Sequence, residues 1–318
     1  AMEPRRRCPR SLLAVLLAVS FIAFTFVSLL PGDTVDAMLG ANASQEDRDA
    51  VRADLGLDDP LLIRYVDWLG DAVRGDLGVS YRTNQPVAEA IRERLPVTLE
   101  LVALSQLIAF LLAVPIAIFG AMRPGSWLDK LLSAGQLTLL AIPSFLMALL
   151  FMAAFAVNLG WFPTTGYTPL GDGILDNLRS LLLPAAAMGL ETVPMYARVL
   201  RTDLVNALDQ EFIWYARAKG NSTSRIMIHH ALRPASIGTV TLGGITIGRM
   251  IGGAVLVETI FALPGLGRFT IDAVNNRDFM ALQGAVVVAT VGFVTVNFLV
   301  DILHGIIDPR IRTAEAVR

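Results

Sequence analysis

The chain has 318 residues, of which 54% are hydrophobic and 17% are charged, and its mean hydropathy is +0.58. Soluble domains carry about 25% charged residues, so this balance predicts a membrane protein. The net charge of −2 gives no support for a nucleic-acid partner. A single cysteine, Cys8, excludes an internal disulfide, and three histidines do not favour a His-rich metal site. No G-x-x-x-x-G-K, H-E-x-x-H or G-x-S-x-G motif occurs, so we expect no metal site and no hydrolase activity in this chain.

Six apolar stretches are long enough to cross the roughly 30 Å hydrocarbon layer of a bilayer. The first, Ser11 to Leu30, has 20 residues without a charge and follows three arginines. A cleaved signal peptide is the alternative, but the stretch is longer than the usual 7–15-residue apolar region of such peptides. The other predicted spans are 97–121, 131–158, 181–201, 235–257 and 281–306. Prolines interrupt three of the spans, which bilayer helices tolerate when neighbouring helices pack against them.

The distribution of Lys and Arg predicts that both termini are cytoplasmic. The N-terminal segment, the 121–130 loop, the 198–234 segment and the tail together carry 15 of these residues, and the opposite side carries three. The 31–96 loop is too long to count under the positive-inside rule. We therefore divide the chain into an N-terminus with the first span (1–30), an extracytoplasmic helical loop (31–96) and a five-helix core (97–318).

The 31–96 loop is acidic, with 13 Asp and Glu against seven Arg, and it has helical signals of its own. Ser44 and Asp47 resemble a capping box at the start of one helix, and Pro60 suits the first turn of a second. One face of that second helix is predicted to hold Leu62, Tyr65, Leu69 and Val73. The loop would act as a lid on the membrane face, as a docking surface for an external partner, or as both.

The loop at 204–234 carries a second helical signal, on the predicted cytoplasmic side. Its apolar residues recur at three- and four-residue steps: Leu204, Val205, Leu208, Phe212, Tyr215 and Ala216. Gly220 is suited to end this helix, and Ser222 or Ser224 can cap a new helix that continues into the fifth span. The pattern fits a rigid cytoplasmic projection, and it fits equally an amphipathic helix lying on the inner leaflet.

Three glycines in the fifth span, Gly244, Gly248 and Gly252, are four residues apart. Such a stripe lets two helices approach closely, either within the bundle or at a subunit or gate interface.

Two charged residues fall inside predicted spans, Glu191 in the fourth and Arg249 in the fifth. Each costs about 2.5–3.5 kcal/mol if it faces lipid, so we expect both to face protein or a wet cavity. Our hypothesis is that they border a substrate path. The alternatives are a structural ion pair, or an Arg249 side chain that extends to the outer surface.

Six stretches follow one another in a recognisable order: "LPGD" at 30–33, "LGLDDPLLIRYVDWLGDAVRGDLGVSY" at 55–81, "RLPVTLEL" at 94–101, "VETIFALPGLGRF" at 257–269, "NRD" at 276–278 and "DPRIR" at 308–312. Together they resemble a known family, the B-type permease subunits of bacterial ABC importers for dipeptides, oligopeptides and nickel. The resemblance covers nearly the whole chain after the first ten residues.

Such importers carry a cytoplasmic motif of the form E-A-A-x-x-x-G-x9-I-x-L-P. Aligned on Gly220, the second alanine falls on Ala216 and the leucine on Leu232, and both match. Other positions depart from the motif: Trp214, Tyr215, His230 and Arg233. A role for a glutamate at 214 is therefore in doubt. The resemblance implies that 211–220 is the helix that couples the permease to an ATPase, through Phe212, Tyr215, Ala216, Arg217, Lys219 and Gly220, with Ala216 as the small residue at closest approach.

The resemblance implies an all-α, six-helix transmembrane bundle in the bacterial inner membrane. It also implies a second similar permease, two cytoplasmic ATPases that hold ATP and Mg, and an extracytoplasmic substrate-binding protein docking on the outer loops; this chain would hold no cofactor itself. Rival interpretations are import of nickel or another small solute, an ion-gradient-driven transporter using Glu191, an intramembrane enzyme, and a scaffold. The chain shows no inverted repeat of broken helices, which weighs against the ion-gradient mechanism.

Overall fold

A computed structural model describes residues 7–28, 44–54 and 59–307. Within these ranges the secondary structure is helical, with an isolated bridge between Val79 and Pro86 and no β-strand. The helices are α1 (Arg7–Ser28), α2 (Gln45–Asp54), α3 (Leu61–Val73), α4 (Val87–Met122), α5 (Trp127–Ala141), α6 (Ser144–Phe151), α7 (Ile174–Leu208), α8 (Glu211–Ala218), α9 (Thr223–Ile260), α10 (Leu266–Asn275) and α11 (Phe279–Ile307). The predicted all-α class is confirmed. The "LPGD" and "DPRIR" stretches lie outside the described residues.

Several of the helices are long and apolar enough to cross a membrane. In the described part of the chain, α4, α9 and the Phe279–Leu299 part of α11 meet this test by length and composition, and the bent pair α5–α6 would be a fourth span. The apolar part of α1, Ala14–Thr25, is shorter. Helix α7 does not meet the test, because charged and polar side chains such as Glu191 interrupt its apolar residues. The bundle is therefore a membrane bundle, and the count of six spans stays a prediction.

The predicted third span, 131–158, is broken rather than continuous. Helix α5 ends at Ala141 and α6 begins at Ser144, with a bend of 98° between them. Pro143 disfavours helical conformation in the residue before it, and Ile142 is extended, with φ −100° and ψ 114°. A π-helical segment, Met152–Asn158, then continues α6. By contrast, prolines inside α7 leave that helix unbroken.

The chain divides into two compact units, 1–99 with 263–294, and 100–262 with 295–318. In the first unit, α3 packs on α1 through Tyr65, whose hydroxyl donates to the Leu17 carbonyl at 3.1 Å and whose ring meets Phe24 edge-on. Helices α2 and α3 are those predicted for the outer loop. The predicted apolar face is buried only in its middle, at Tyr65, whereas Leu62 is 64% exposed and Val73 is 82% exposed.

Stretches that carry the family resemblance meet in the first unit. The Thr98 hydroxyl accepts from the Leu266 amide at 2.8 Å, which joins "RLPVTLEL" to "VETIFALPGLGRF". The Ser80 hydroxyl donates to the buried Asp278 carboxylate, which also accepts from the Ala281 amide at 3.1 Å and so caps α11. These polar residues therefore hold parts of the 59–99 segment and the N-terminal ends of α10 and α11 together.

In the second unit, α7 packs closely on α4 and α9. A Cβ atom added at Gly189 of α7 would lie 2.7 Å from the Ser105 carbonyl oxygen of α4, so the two backbones nearly touch. On α9, a Cβ atom at Gly243 would lie 2.8 Å from the Phe110 ring, which stacks on Tyr196 with ring centroids 4.9 Å apart.

The predicted glycine stripe is only partly buried. Gly244 and Gly248 are buried, whereas Gly252 is exposed and a Cβ atom there would meet nothing within 4 Å. Gly252 therefore makes no close packing contact within this chain, and a subunit or gate interface stays a prediction for it. Close approaches between helices occur at other glycines, among them Gly189 and Gly243, and because the neighbouring atoms come from other helices the local sequence does not reveal them.

Candidate functional site

Helix α8 lies on a buried apolar base. Ile213 is fully buried and Ala216 is 6% exposed, and both belong to one core cluster. The other buried members come from the ends of α4, α7 and α9: Ala117, Ala121, Leu200, Leu204, Ala207, Ile226, Met227, Ala231 and Ala235. A short helix anchored at two points along one face is held firmly in one orientation.

The opposite face of α8 presents aromatic side chains to the outside. Phe212 is 45% exposed, Trp214 68% and Tyr215 70%, and Arg217 and Lys219 beside them are exposed as well. Large apolar groups clustered on an exposed face mark an interaction surface. Trp214 was not among the predicted contact residues, and its exposure adds it to this face.

Two details of the predicted coupling helix need correction. The apolar stripe does not run along one helix, because α7 ends at Leu208 and α8 begins at Glu211. Leu204 therefore belongs to α7, whereas Phe212 and Tyr215 belong to α8. Ala216 faces the chain's own core rather than a partner, so its small side chain fits the helix against its base. The face available to another subunit is aromatic and basic.

The corner after α8 is formed by Gly220, which has φ +78°. Its amide donates to the Arg217 carbonyl at 2.9 Å, and the Asn221 amide donates to the Ala216 carbonyl at 3.3 Å, which caps the helix end. Ser222 accepts from the Arg225 amide at 3.4 Å and begins α9, so Ser222 rather than Ser224 is the cap. Helix, glycine corner and helix follow one another as predicted.

An ion pair that sequence reasoning missed braces the second unit near α8. Asp129, in the first turn of α5, accepts from Arg201 of α7 at 2.7 Å and from the Gly125 amide at 2.9 Å. A Cβ atom at Gly120 would lie 3.0 Å from both partners, so α4 passes directly beside the pair. The two charged residues are 72 positions apart, and nothing in the local pattern links them.

Glu191 and Arg249, the two charges predicted inside spans, line one cavity of about 270 Å³. Its other lining residues are Ser144, Met188, Thr192, Thr246, Met250 and Gly253. Both charged residues are exposed. Within the described ranges, no ion pair of 4.0 Å or less joins Glu191 to Arg249. The structure therefore brings the two residues to one site without pairing them.

A layer of uncharged polar groups lies behind this cavity. The Tyr196 hydroxyl donates to Gln106 at 2.9 Å, and the Gln106 amide donates to the sulfur of Met250 at 3.3 Å. Thr192 and Thr246 are buried, and their hydroxyls donate to carbonyls of their own helices. In the part of the chain that the structure describes, no group of three or more His, Cys, Asp or Glu side chains is placed to hold a metal ion.

Comparison with known families identifies the chain. Residues 113–313 match the family described as the binding-protein-dependent transport system inner membrane component, and residues 5–102 match the N-terminal region of such membrane components. The chain belongs to this family. The resemblance seen in the sequence is thereby confirmed, and the chain is a multi-pass inner-membrane permease of an ABC-type transport system.

Relatives and solved structures agree with this assignment. The permease is 40% identical over 302 residues to a candidate peptide transport system permease protein of Brucella abortus, covering 94% of this chain and 95% of the relative. It is 37% identical to the oligopeptide transport system permease protein AppB of Bacillus subtilis, covering 93% and 95%. An inward-facing structure of the MetNI methionine ABC transporter shares the fold at 17% identity with a TM-score of 0.57, covering 69% of this chain and 96% of that one.

Proposed function

We propose that this permease is one of two transmembrane subunits of an importer that moves dipeptides or oligopeptides into a bacterial cell at the expense of ATP. The peptide substrate is favoured by the names of two relatives, at 40% and 37% identity, that match almost the full chain. Family membership favours an external binding protein as the partner that delivers the substrate. A second, similar permease and two ATPase subunits, which bind ATP and Mg, complete the proposed assembly.

The observation that carries the proposal is the exposed aromatic face of α8 above its buried base. In this proposal Phe212, Trp214 and Tyr215 occupy a groove of the ATPase subunit, and Arg217 and Lys219 contribute charge complementarity at its edge. Because Ile213 and Ala216 fix α8 to the ends of α4, α7 and α9, a displacement of α8 would be passed directly to these helices. ATP can then drive the permease as far as the closed ATPase dimer prefers one position of α8.

The orientation follows from the same proposal. Helix α8 and both termini lie in the cytoplasm, and the 31–96 loop faces outward, where the binding protein docks. The acidic character of that loop, with 13 Asp and Glu against seven Arg, favours a partner surface of opposite charge.

Reconstitution tests the proposal. The permease is assembled with its second permease, ATPase subunits and binding protein in proteoliposomes, and uptake of peptides held by the binding protein is measured. We expect uptake that requires ATP and the binding protein. Uptake that continues without ATP but disappears with an ion gradient would contradict the proposal, and so would a system that transports nickel but no peptide.

A further inference from the structure

The cavity around Glu191 and Arg249 presents one carboxylate and one guanidinium. In residues 7–28, 44–54 and 59–307, neither side chain takes part in an ion pair of 4.0 Å or less. An ionised side chain in a span is costly when it faces lipid. Two such charges kept in one cavity therefore indicate a site for a polar, doubly charged occupant or for water.

The remaining lining of the cavity is uncharged and adaptable. The hydroxyls of Thr192 and Thr246 already donate to the carbonyls of Gly189 and Leu242, at 2.8 and 2.7 Å. Met188 and Met250 also line the cavity, and unbranched thioether side chains can repack around groups of different shapes. The lining thus has two fixed charges for recognition and no group suited to select one particular side chain.

The broken third span contributes the N-terminus of a helix, with its partial positive charge, to the cavity. Ser144, which lines the cavity, is the first residue of α6, and the first helical bond there runs from the Leu146 amide to the Pro143 carbonyl at 3.0 Å. The amides of Ser144 and Phe145 therefore have no acceptor within their own helix. Half-helix N-termini of this kind face anionic substrate groups in other transporters.

We propose that this cavity binds the two charged ends of a short zwitterionic peptide on its way through the membrane. Arg249 binds the C-terminal carboxylate, aided by the first turn of α6, and Glu191 binds the N-terminal ammonium group. The inference rests on the proposed peptide import and adds the recognition chemistry. A volume of about 270 Å³ is just below the roughly 300–1,000 Å³ of small-molecule sites, which suits a dipeptide.

In this arrangement the permease recognises the two ends of the peptide and does not select its side chains. The two ends of an extended dipeptide are roughly 7 Å apart, at about 3.3–3.6 Å per residue. The unpaired arrangement of Glu191 and Arg249 leaves each charge available to one end. The methionines then contact whichever side chains the peptide carries. The permease would therefore accept many dipeptides and discriminate against molecules that lack either terminal charge.

Equilibrium binding to the purified complex without its binding protein tests the proposal. The probes are dialanine, N-acetyl-dialanine, dialanine amide and the doubly blocked derivative, measured by calorimetry on wild type, Glu191→Gln and Arg249→Gln. We expect wild type to bind dialanine at least tenfold more tightly than the doubly blocked form. Arg249→Gln should weaken the binding of dialanine about tenfold but change the binding of dialanine amide less than twofold. Glu191→Gln should likewise weaken the binding of dialanine about tenfold but change the binding of N-acetyl-dialanine less than twofold.

The comparison of probes within one variant removes the effect of partial misfolding, because misfolding lowers the binding of all probes alike. Arg179→Gln, a charge change outside the cavity on the same helix as Glu191, serves as the control and should leave all ratios at the wild-type value. Equal losses for free and blocked probes, or no preference for dialanine in wild type, would overturn the inference. Peptide uptake that depends on ATP in the same preparation would then leave the proposed function standing, whereas absence of such uptake would remove the proposed function itself.

Discussion

Arg201 of α7 and Asp129 of α5 form a two-point ion pair, in which Nε donates to Oδ1 at 3.0 Å and Nη2 donates to Oδ2 at 2.7 Å. The Asp129 side chain is 8% exposed and that of Arg201 is 33% exposed, so solvent screens the pair incompletely. Planar bidentate pairing fixes orientation as well as distance. The pair therefore sets the start of α5 against α7, whose end continues into α8.

We predict that Asp129→Asn lowers the free energy of unfolding by about 1.5–3 kcal/mol, the usual range for a hydrogen bond to a charged group. The expected measurement is a lower thermal midpoint of the purified complex. Asp71→Asn is the matched control, because Asp71 pairs with Arg74 at 3.2 Å with side chains 60% and 78% exposed. Exposed pairs contribute about 0–1 kcal/mol. Equal shifts in the two variants would contradict a structural role for the Asp129 pair.

Signals that act within a few residues were sufficient to predict much of this fold. Gly220 and Ser222 marked the corner after α8 because left-handed conformation and helix capping depend on local chemistry. The inward side of α8 could not be predicted in this way. Ile213 is buried by residues of α4 and α9, among them Ala117, and no periodicity in one short helix reveals such distant neighbours.

The cavity, too, has features that the local sequence predicts and features that depend on distant neighbours. Charge inside an apolar stretch is visible in the sequence, so Glu191 and Arg249 could be singled out as site candidates. Their meeting in one cavity depends on how α7 and α9 rotate against each other, which the sequence does not state. Likewise, local rules explain why Pro143 disfavours helical conformation in the residue before it. Whether a span then bends or stays helical at a proline depends on the packing around it.

A pH dependence is expected from Tyr167, which donates to Glu100 at 2.8 Å. Burial, followed by the hydrogen bond to Glu100 and the charge of that carboxylate, raises the pKa of Tyr167 to about 12. An unfolded tyrosine loses its proton near pH 10, so the unfolded state binds fewer protons above that pH. The contribution of Tyr167 to stability is therefore complete below about pH 10 and is lost as the pH rises towards 12.

Tyr167→Phe should reduce this alkaline loss, because the phenol no longer titrates, and Glu100→Gln should reduce it in part. The measurement is the thermal midpoint of the complex between about pH 9 and 11. Identical slopes for wild type and both variants would show that Tyr167 does not contribute.

Because α7 packs closely on α4, alanine substitution at two helical glycines should change stability in opposite directions. Gly189→Ala would bring a Cβ atom to 2.7 Å from the Ser105 carbonyl oxygen, a backbone atom that cannot rotate away. We expect a loss of about 1–3 kcal/mol, as for other overpacked sites. Gly252→Ala is the control, because its Cβ atom meets nothing within 4 Å and alanine favours helix by about 0.5–1 kcal/mol. Thermal unfolding of the complex should rank Gly252→Ala above Gly189→Ala, and the reverse order would contradict the packing.

At Gly220 the effect of backbone strain can be measured without steric clash. No atom lies within 4 Å of a Cβ atom there, so a side chain would fit, but the φ of +78° disfavours most residues. Left-handed conformation costs roughly 1–2 kcal/mol for ordinary residues and less for asparagine. We predict that Gly220→Val lowers peptide uptake per ATP hydrolysed, whereas Gly220→Asn keeps most of it. If both variants behave alike, the conformation of the corner is not what the coupling requires.

Substitutions at two residues of α8 test separately its role in docking and its role in folding. Tyr215 is 70% exposed and Ile213 is fully buried, so they lie on opposite faces of the helix. Tyr215→Ser should leave the thermal midpoint of the isolated permease pair unchanged within about 0.5 kcal/mol, as expected for surface changes. It should nevertheless weaken binding of the ATPase subunits and reduce peptide-stimulated hydrolysis, because an aromatic contact at the interface is lost.

Ile213→Ala should do the reverse, destabilising the permease itself by about 2–5 kcal/mol through a cavity in the core. Pull-down of the ATPase subunits and thermal unfolding, measured on both variants, separate the two effects. A Tyr215→Ser permease that still binds and stimulates the ATPase normally would show that this face of α8 does not dock there. Weaker binding without a change in stability would assign the aromatic face to the partner, because burial already assigns Ile213 to the permease core.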